Sequence, residues 1–192
     1  QKLQEADRRT ASTDLLTLRA GQTTKEVIRN LSATTPDLSA AVNAYIRTVV
    51  TPNFTTIARN QDGTANPEAT SAVQQLVSRL NNLQDYVPGY SEIRSIHGVA
   101  EALTKELRLY GSCSLELVLD KARLPYKLQP ISTTQIVWED DGGSTYPVQK
   151  TPGGQEVILD IPTFFYESLD DDLLSAYSSS PMEPAVQAVL QS

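Results

Sequence analysis

One histidine, His97, and one cysteine, Cys113, limit the side-chain chemistry open to this chain. A Ser-His-Asp or Cys-His nucleophile, an imidazole base or a His-ligated metal would have to use His97. His97 stands beside Gly98 without a His-x-x-x-His partner, so zinc-type spacing is absent. Cys113 follows Gly111 at the start of an alternating run and has that same histidine as its one candidate base, so it reads as a plain buried thiol. Asp140-Asp141 and Asp170-Asp171-Asp172 carry oxygen ligands. Calcium loops need alternating ligands and a distal bidentate Glu, so these runs read as solvated acidic loops. Gly142-Gly143 and Gly153-Gly154 are not followed by Lys-Ser or Lys-Thr, and no GxGxxG is present. They read as hairpin turns and not as phosphate cradles. A carboxylate hydrolase would need a pair such as Glu116 and Asp160 within about 5–10 Å across a cleft, and nothing in the spacing asks for it. The expectation is no catalytic residue, no metal, no cofactor and no enzyme.

The elements that would position these residues change character midway. Thr24 to Ala33 places Val27, Ile28 and Leu31 at helical spacing. Thr35-Pro36-Asp37 opens a second helix with Leu38, Ala41, Val42, Tyr45, Ile46 and Val49 on a stripe, ended by Thr51-Pro52. Asn53 to Arg59 is β-rich and stops at the turn Gln61-Asp62-Gly63. Asn66 caps a helix over 67–84, with Pro67 first and Ala69, Ala72, Val73, Leu76, Val77, Leu80 and Leu83 as its stripe. After Pro88-Gly89, Ser91 caps a helix over 92–109 that ends at Gly111. From there the period falls to two. Strands are expected at Ser114–Leu119, Leu124–Leu128 (an edge, from Pro125 and Pro130), Gln135–Glu139, Tyr146–Lys150, Val157–Ile161 and Phe164–Glu167. Residues 170–180 read as the most mobile loop. A helix begins at Glu183 and reaches Ser192 without a cap, which suggests that the natural polypeptide continues. Helices followed by a strand meander predict an α+β fold, an antiparallel β-meander packed on helices.

The chain has 192 residues, 40% of them apolar, and a net charge of −7. That length suits one domain, or one domain with a helical arm. The acidic balance argues against a broad phosphate-neutralising surface. Arg8, Arg9, Arg19, Lys25 and Arg29 make the first stretch locally more basic, but Glu5, Asp7, Asp14 and Glu26 interleave with them as on a salt-bridged helix surface. No apolar run reaches membrane-spanning length, and QKLQEADRRT has no signal-peptide pattern, so a cytoplasmic origin is expected and the sequons at Asn30 and Asn53 carry little weight.

Three consecutive stretches resemble tailed-bacteriophage portal proteins. The first is Asp37–Val50, DLSAAVNAYIRTVV, like an early portal helix that leads into a β-rich segment. The second is Leu103–Trp138, in which a helix ends in glycine, a strand follows and LPYKLQPISTTQIVW comes next. The third is Ile161–Leu190, where Ser180-Pro181-Met182-Glu183-Pro184 matches the family pattern and Ser178 stands where glycine is usual. The resemblance covers most of 37–192. It implies an N-terminal helical arm at 1–36 and a wing-like α+β domain at 37–192, with stem and clip outside this chain. It further implies a homo-oligomeric ring, commonly twelve-fold, at one capsid vertex of the virion, assembled in the host cytoplasm. The implied partners are the major capsid protein, a head-tail adaptor, terminase during packaging and the double-stranded DNA in the channel. It assigns no nucleic-acid-binding residue here. The alternative is another phage structural protein, such as a head-tail adaptor or baseplate component. An acidic ring suits a DNA conduit, because tight phosphate contacts with counterion release would act as a brake.

Overall fold

A computed structural model describes residues 24–51, 55–82, 95–169 and 176–191. Several readings fall outside that set: Arg8, Arg9, Arg19, the sequon at Asn53, Leu83, Pro88-Gly89, the Ser91 cap and Asp170–Asp172. The described chain is α+β, with helices first and antiparallel strands packed against them.

The helices are α1 (Thr24–Thr34), α2 (Pro36–Val49), α3 (Pro67–Asn82), α4 (Ile96–Tyr110) and α5 (Glu183–Gln191). Pro36 sits at the start of α2, where its missing N–H is not needed. Asn66 caps α3, its Oδ1 accepting from the Ala69 amide at 2.9 Å. The fourth helix begins later than the Ser91 signal suggests. Ser95 is its cap, accepting from the Gly98 amide at 3.1 Å. Arg59 makes only an isolated bridge to Ala65, so the expected strand over 53–59 is not formed among the described residues. Its backbone groups go to the start of α3 instead. The Ala58 amide donates to Thr70 Oγ1 at 3.0 Å, and the Ala58 carbonyl accepts from the Asn66 amide at 2.9 Å.

The strands are β1 (Ser112–Leu119), β2 (Pro125–Ile131), β3 (Ile136–Asp140), β4 (Thr145–Lys150), β5 (Glu156–Ile158) and β6 (Phe164–Ser168). They divide into two three-stranded sheets where the sequence suggests one run. The orders are β2-β1-β6 and β3-β4-β5, and every pairing is antiparallel. Pro125 and Pro130 do lie on an edge strand, where a missing amide is tolerated. In the β3–β4 hairpin Gly142 takes φ +91°, a conformation that favours glycine.

Two apolar clusters hold the layers. One joins Val27, Ile28 and Leu31 of α1, Leu38, Val42 and Ile46 of α2, Leu109 and Tyr110 of α4, and Met182 with Val186. The expected boundary at 36/37 falls one residue into α2, and α1 and α2 share this core. The other cluster is Ile131, Ile136 and Leu159, with Phe164 and Tyr166 against it. Trp138 meets Tyr166 edge to face at 5.2 Å, which ties the two sheets together. The stripe on α3 corrects a core expectation: Leu76 is 37% exposed and no described residue of α3 is fully buried.

Ile28→Ala is therefore expected to lower stability by about 2–4 kcal/mol, because it empties a fully enclosed site. Leu76→Asp should change it by no more than about 1 kcal/mol. Urea denaturation of both variants checks the ordering, and a Leu76→Asp protein that fails to fold would contradict the burial described.

Candidate functional site

Among the described residues, those that could do chemistry lie apart from one another. His97 lies in the first turn of α4 with Nε2 3.5 Å from Glu101 Oε1 one turn on. Cys113 is buried in β1, opposite Glu167 of β6. Burial, and then the nearby Glu167 and Glu106 carboxylates, push its thiol up to about 11, the reverse of what a nucleophile requires. Asp140 and Asp141 commit oxygens to their own hairpin. Asp140 Oδ1 accepts from the Gly142 amide at 2.7 Å, and Asp141 Oδ1 from the Gly143 and Ser144 amides at 3.0 Å. The Ser144 and Gly143 amides hold Asp141 below the usual carboxylate range. Glu116 sits in β1 between Gln129 and Phe164, while Asp160 is exposed on the connection after β5. Among the described residues no three His, Cys, Asp or Glu side chains gather as metal ligands. No described helix is long and apolar enough to cross a membrane.

What the fold does assemble is a polar junction at the end of α4. Gly111 turns left-handed at φ +76°, sending the chain from helix into β1. The last helical carbonyls then need donors. Ser178 Oγ donates to the Tyr110 carbonyl at 3.1 Å and Ser180 Oγ to the Leu109 carbonyl. Ser180 Oγ also accepts from the Met182 amide at 3.1 Å, at the entry to α5. The Leu169 amide closes on the Gly111 carbonyl at 2.8 Å, just past β6. A Cβ on Gly111 would stand 1.9 Å from the Ser179 carbonyl oxygen, so this approach requires glycine.

A second junction lies one turn earlier. Glu106 Oε2 accepts from the Thr133 amide at 2.9 Å and from Thr133 Oγ1 at 2.8 Å, capping the 3₁₀ turn Thr133–Gln135. Ser132 Oγ donates to the same carboxylate. Lys25, expected on a salt-bridged helix surface, donates to the Thr133 carbonyl at 3.3 Å and stacks 5.5 Å over the Tyr177 ring. Tyr177 Oη accepts from the Trp138 amide at 3.1 Å. Neither Glu106, Tyr177 nor the hydroxyl roles of Ser178 and Ser180 were singled out from sequence. The one available signal was Ser178-Ser179-Ser180 ahead of Pro181.

The outer surface carries exposed apolar side chains: Tyr45 and Val49 on α2, Ile57, Leu124, Ile158, and Phe165 with Leu169. Arg108 stacks 5.1 Å over Tyr45. This is more suggestive of a contact surface than of a cleft.

No protein-family model and no curated protein sequence matches the chain. Its fold is similar to solved chains of gene transfer agent particles. A chain in the neck of an empty particle, computed with C6 symmetry, matches at TM-score 0.64 and 17% identity over 89% of this chain and 43% of that one. A chain in the virion of a native particle matches at 0.61 and 17%, over 94% and 47%. A chain in the neck of a native particle, computed with C12 symmetry, matches at 0.60 and 15%, over 92% and 46%. The chain therefore spans less than half the length of each of these.

Two outcomes test the junction. Ser180→Ala should cost about 1–3 kcal/mol, leaving a carbonyl without its donor, and Gly111→Ala more than about 2 kcal/mol. Equal, negligible losses in thermal denaturation would dismiss the junction as a stability determinant. The second outcome concerns alkali. Burial raises Tyr110, from its ordinary 10.0, to about 12, and Cys113, from 9.0, to about 11. Folding thus favours the protonated forms. Below pH about 9 both groups are protonated folded or unfolded, and they add no pH dependence. Above it the unfolded chain ionises first, so stability should fall as pH rises through about 9–12. A Cys113→Ser, Tyr110→Phe chain should lose part of that slope, and an unchanged slope in urea titrations would refute the assignment.

Proposed function

We propose that this chain is the wing-like portion of a tailed-phage portal subunit, with an N-terminal arm at 1–36 and the wing-like domain at 37–192. In this reading it forms part of a ring at one capsid vertex through which double-stranded DNA is packaged and ejected. The observation that carries the proposal is the fold likeness over about nine-tenths of the chain to chains of phage-like particle necks. The same region carries the portal-like order of helix, glycine, strand and Ser-Pro-Met-Glu-Pro. The Ser180 hydroxyl in that last motif fastens α5 to α4, which gives the motif a structural job. The role is structural and not enzymatic. Its partners are other copies, the major capsid protein, an adaptor, terminase and passing DNA. A head-tail adaptor is the second reading, and it is favoured by the position of the compared chains in particle necks, where an adaptor would equally stand.

A polypeptide long enough to match the neighbours end to end should show rings with a central hole in negative stain, commonly twelve-fold. Residues 1–192 alone should sediment as monomer or weak oligomer at low salt. Their charge of −7 makes copies repel, and salt shortens that repulsion to about 8 Å at physiological strength, so association should rise with salt. A long polypeptide that stays monomeric under every condition would sink the portal reading.

A further inference from the structure

Among the described residues no strand pairing joins the two sheets. The strands β3, β4 and β5 pair with one another, while β1 pairs with β2 and β6. The second sheet is one continuous stretch, 136–158. The chain enters it through the 3₁₀ turn Thr133–Gln135 and leaves it through 159–163. Both crossings are held from the other side. The Glu106 carboxylate caps the turn, and the Thr163 carbonyl accepts from the Leu117 amide of β1 at 2.8 Å. They can therefore stay with α4 and the first sheet while the strands between them move.

Between the sheets lies the smaller apolar cluster, with three buried side chains against ten in the helical core. Parting it exposes less apolar area, so it costs less. The joint also holds an unmet donor. Trp138 meets the Tyr166 ring, yet its Nε1 is enclosed and has no hydrogen-bond partner. A buried donor without an acceptor is destabilising, and opening would give it water. A directional bond acts the other way. The Trp138 amide, opposite Pro147 in the ladder, donates to Tyr177 Oη at 3.1 Å. Tyr177 is buried, and Ser178 beside it is tied to the end of α4.

We infer that the second sheet opens as a unit, 136–158 swinging on the turns at 133–135 and 159–163 while the helices and the first sheet stay folded, with Tyr177 as the latch that holds it shut. Elements that part with little apolar loss occupy the low end of a structure's range of opening free energies. The motion belongs to the single chain and does not depend on ring formation.

Native-state hydrogen exchange on residues 1–192, in low urea and with two variants, tests it. In the wild-type chain the amides of 136–158 should exchange faster than the protected amides of α2. Their opening should also depend less on urea, because it exposes less surface. Equal protection with equal urea slopes would mean one cooperative unit and would overturn the hinge. Ile28→Ala weakens the helical core, which stays closed in this motion. It should speed exchange in α2 by about thirtyfold or more and leave 136–158 unchanged. The same factor in both regions overturns the hinge. Tyr177→Phe keeps the ring beneath Lys25 and removes the acceptor. It should speed exchange at 136–158 by about fivefold or more. No change there overturns the latch.

Discussion

The C-terminal end of α4 is the point on which the rest of the architecture depends. A helix ends with carbonyls that have lost their intrahelical donors, and here the ends of four elements meet to supply and use them. Gly111 turns left-handed and feeds β1. Ser178 and Ser180, 68 and 71 residues further along the chain than their partners, donate to the Tyr110 and Leu109 carbonyls. The Leu169 amide takes the Gly111 carbonyl. Each bond contributes only about 1 kcal/mol net, but leaving either carbonyl buried and unpaired costs more. Together they fix where β6 leaves the sheet and where α5 enters the helical core. That explains why β6 pairs with β1 and not with its sequence neighbour β5.

The two apolar clusters would not by themselves set the sheets in register. The cluster under the second sheet is small, built on Ile131, Ile136 and Leu159. Polar links span the gap. Glu106 reaches from α4 to cap the 3₁₀ turn at Thr133, and Lys25 reaches from α1 to the same residue's carbonyl and to the face of Tyr177. Tyr177 in turn holds the Trp138 amide of β3. Directional bonds of this kind specify orientation where apolar contact alone would permit sliding.

What was legible in the sequence was local. Proline and asparagine at 66–67, glycine at 111, the Pro125 and Pro130 edge and the two glycine turns each declare themselves through backbone chemistry within a few residues. What was not legible depends on distance. Periodicity finds a stripe but not the width of the surface that covers it. On α2 the Leu38–Val42–Ile46 row is buried while Tyr45 and Val49, on the same sequence stripe, stay out. On α3 no described residue of the stripe is buried, and Leu76 is exposed. The run at 55–58 alternates like a strand, yet its backbone partners are Thr70 and Asn66, which lie on the next helix. The Glu106 and Ser178 roles could not be read because a hydroxyl or carboxylate names its chemistry but not its partner.

The exposed residues and the net charge fit together as one physical problem. An acidic chain with apolar side chains on its surface must avoid indiscriminate association yet permit one specific contact. Long-range repulsion between copies at −7 opposes approach in any orientation and is screened beyond a Debye length. Short-range contact between apolar side chains operates inside that length, so it survives the screening that removes the repulsion. The two effects therefore separate in range: net charge governs whether copies meet, and the apolar side chains act only once they have met. In the proposed ring the same acidity would keep phosphate contacts weak, because a surface that does not neutralise phosphates releases few counterions. Low net affinity between copies and low affinity for phosphate thus follow from the same composition.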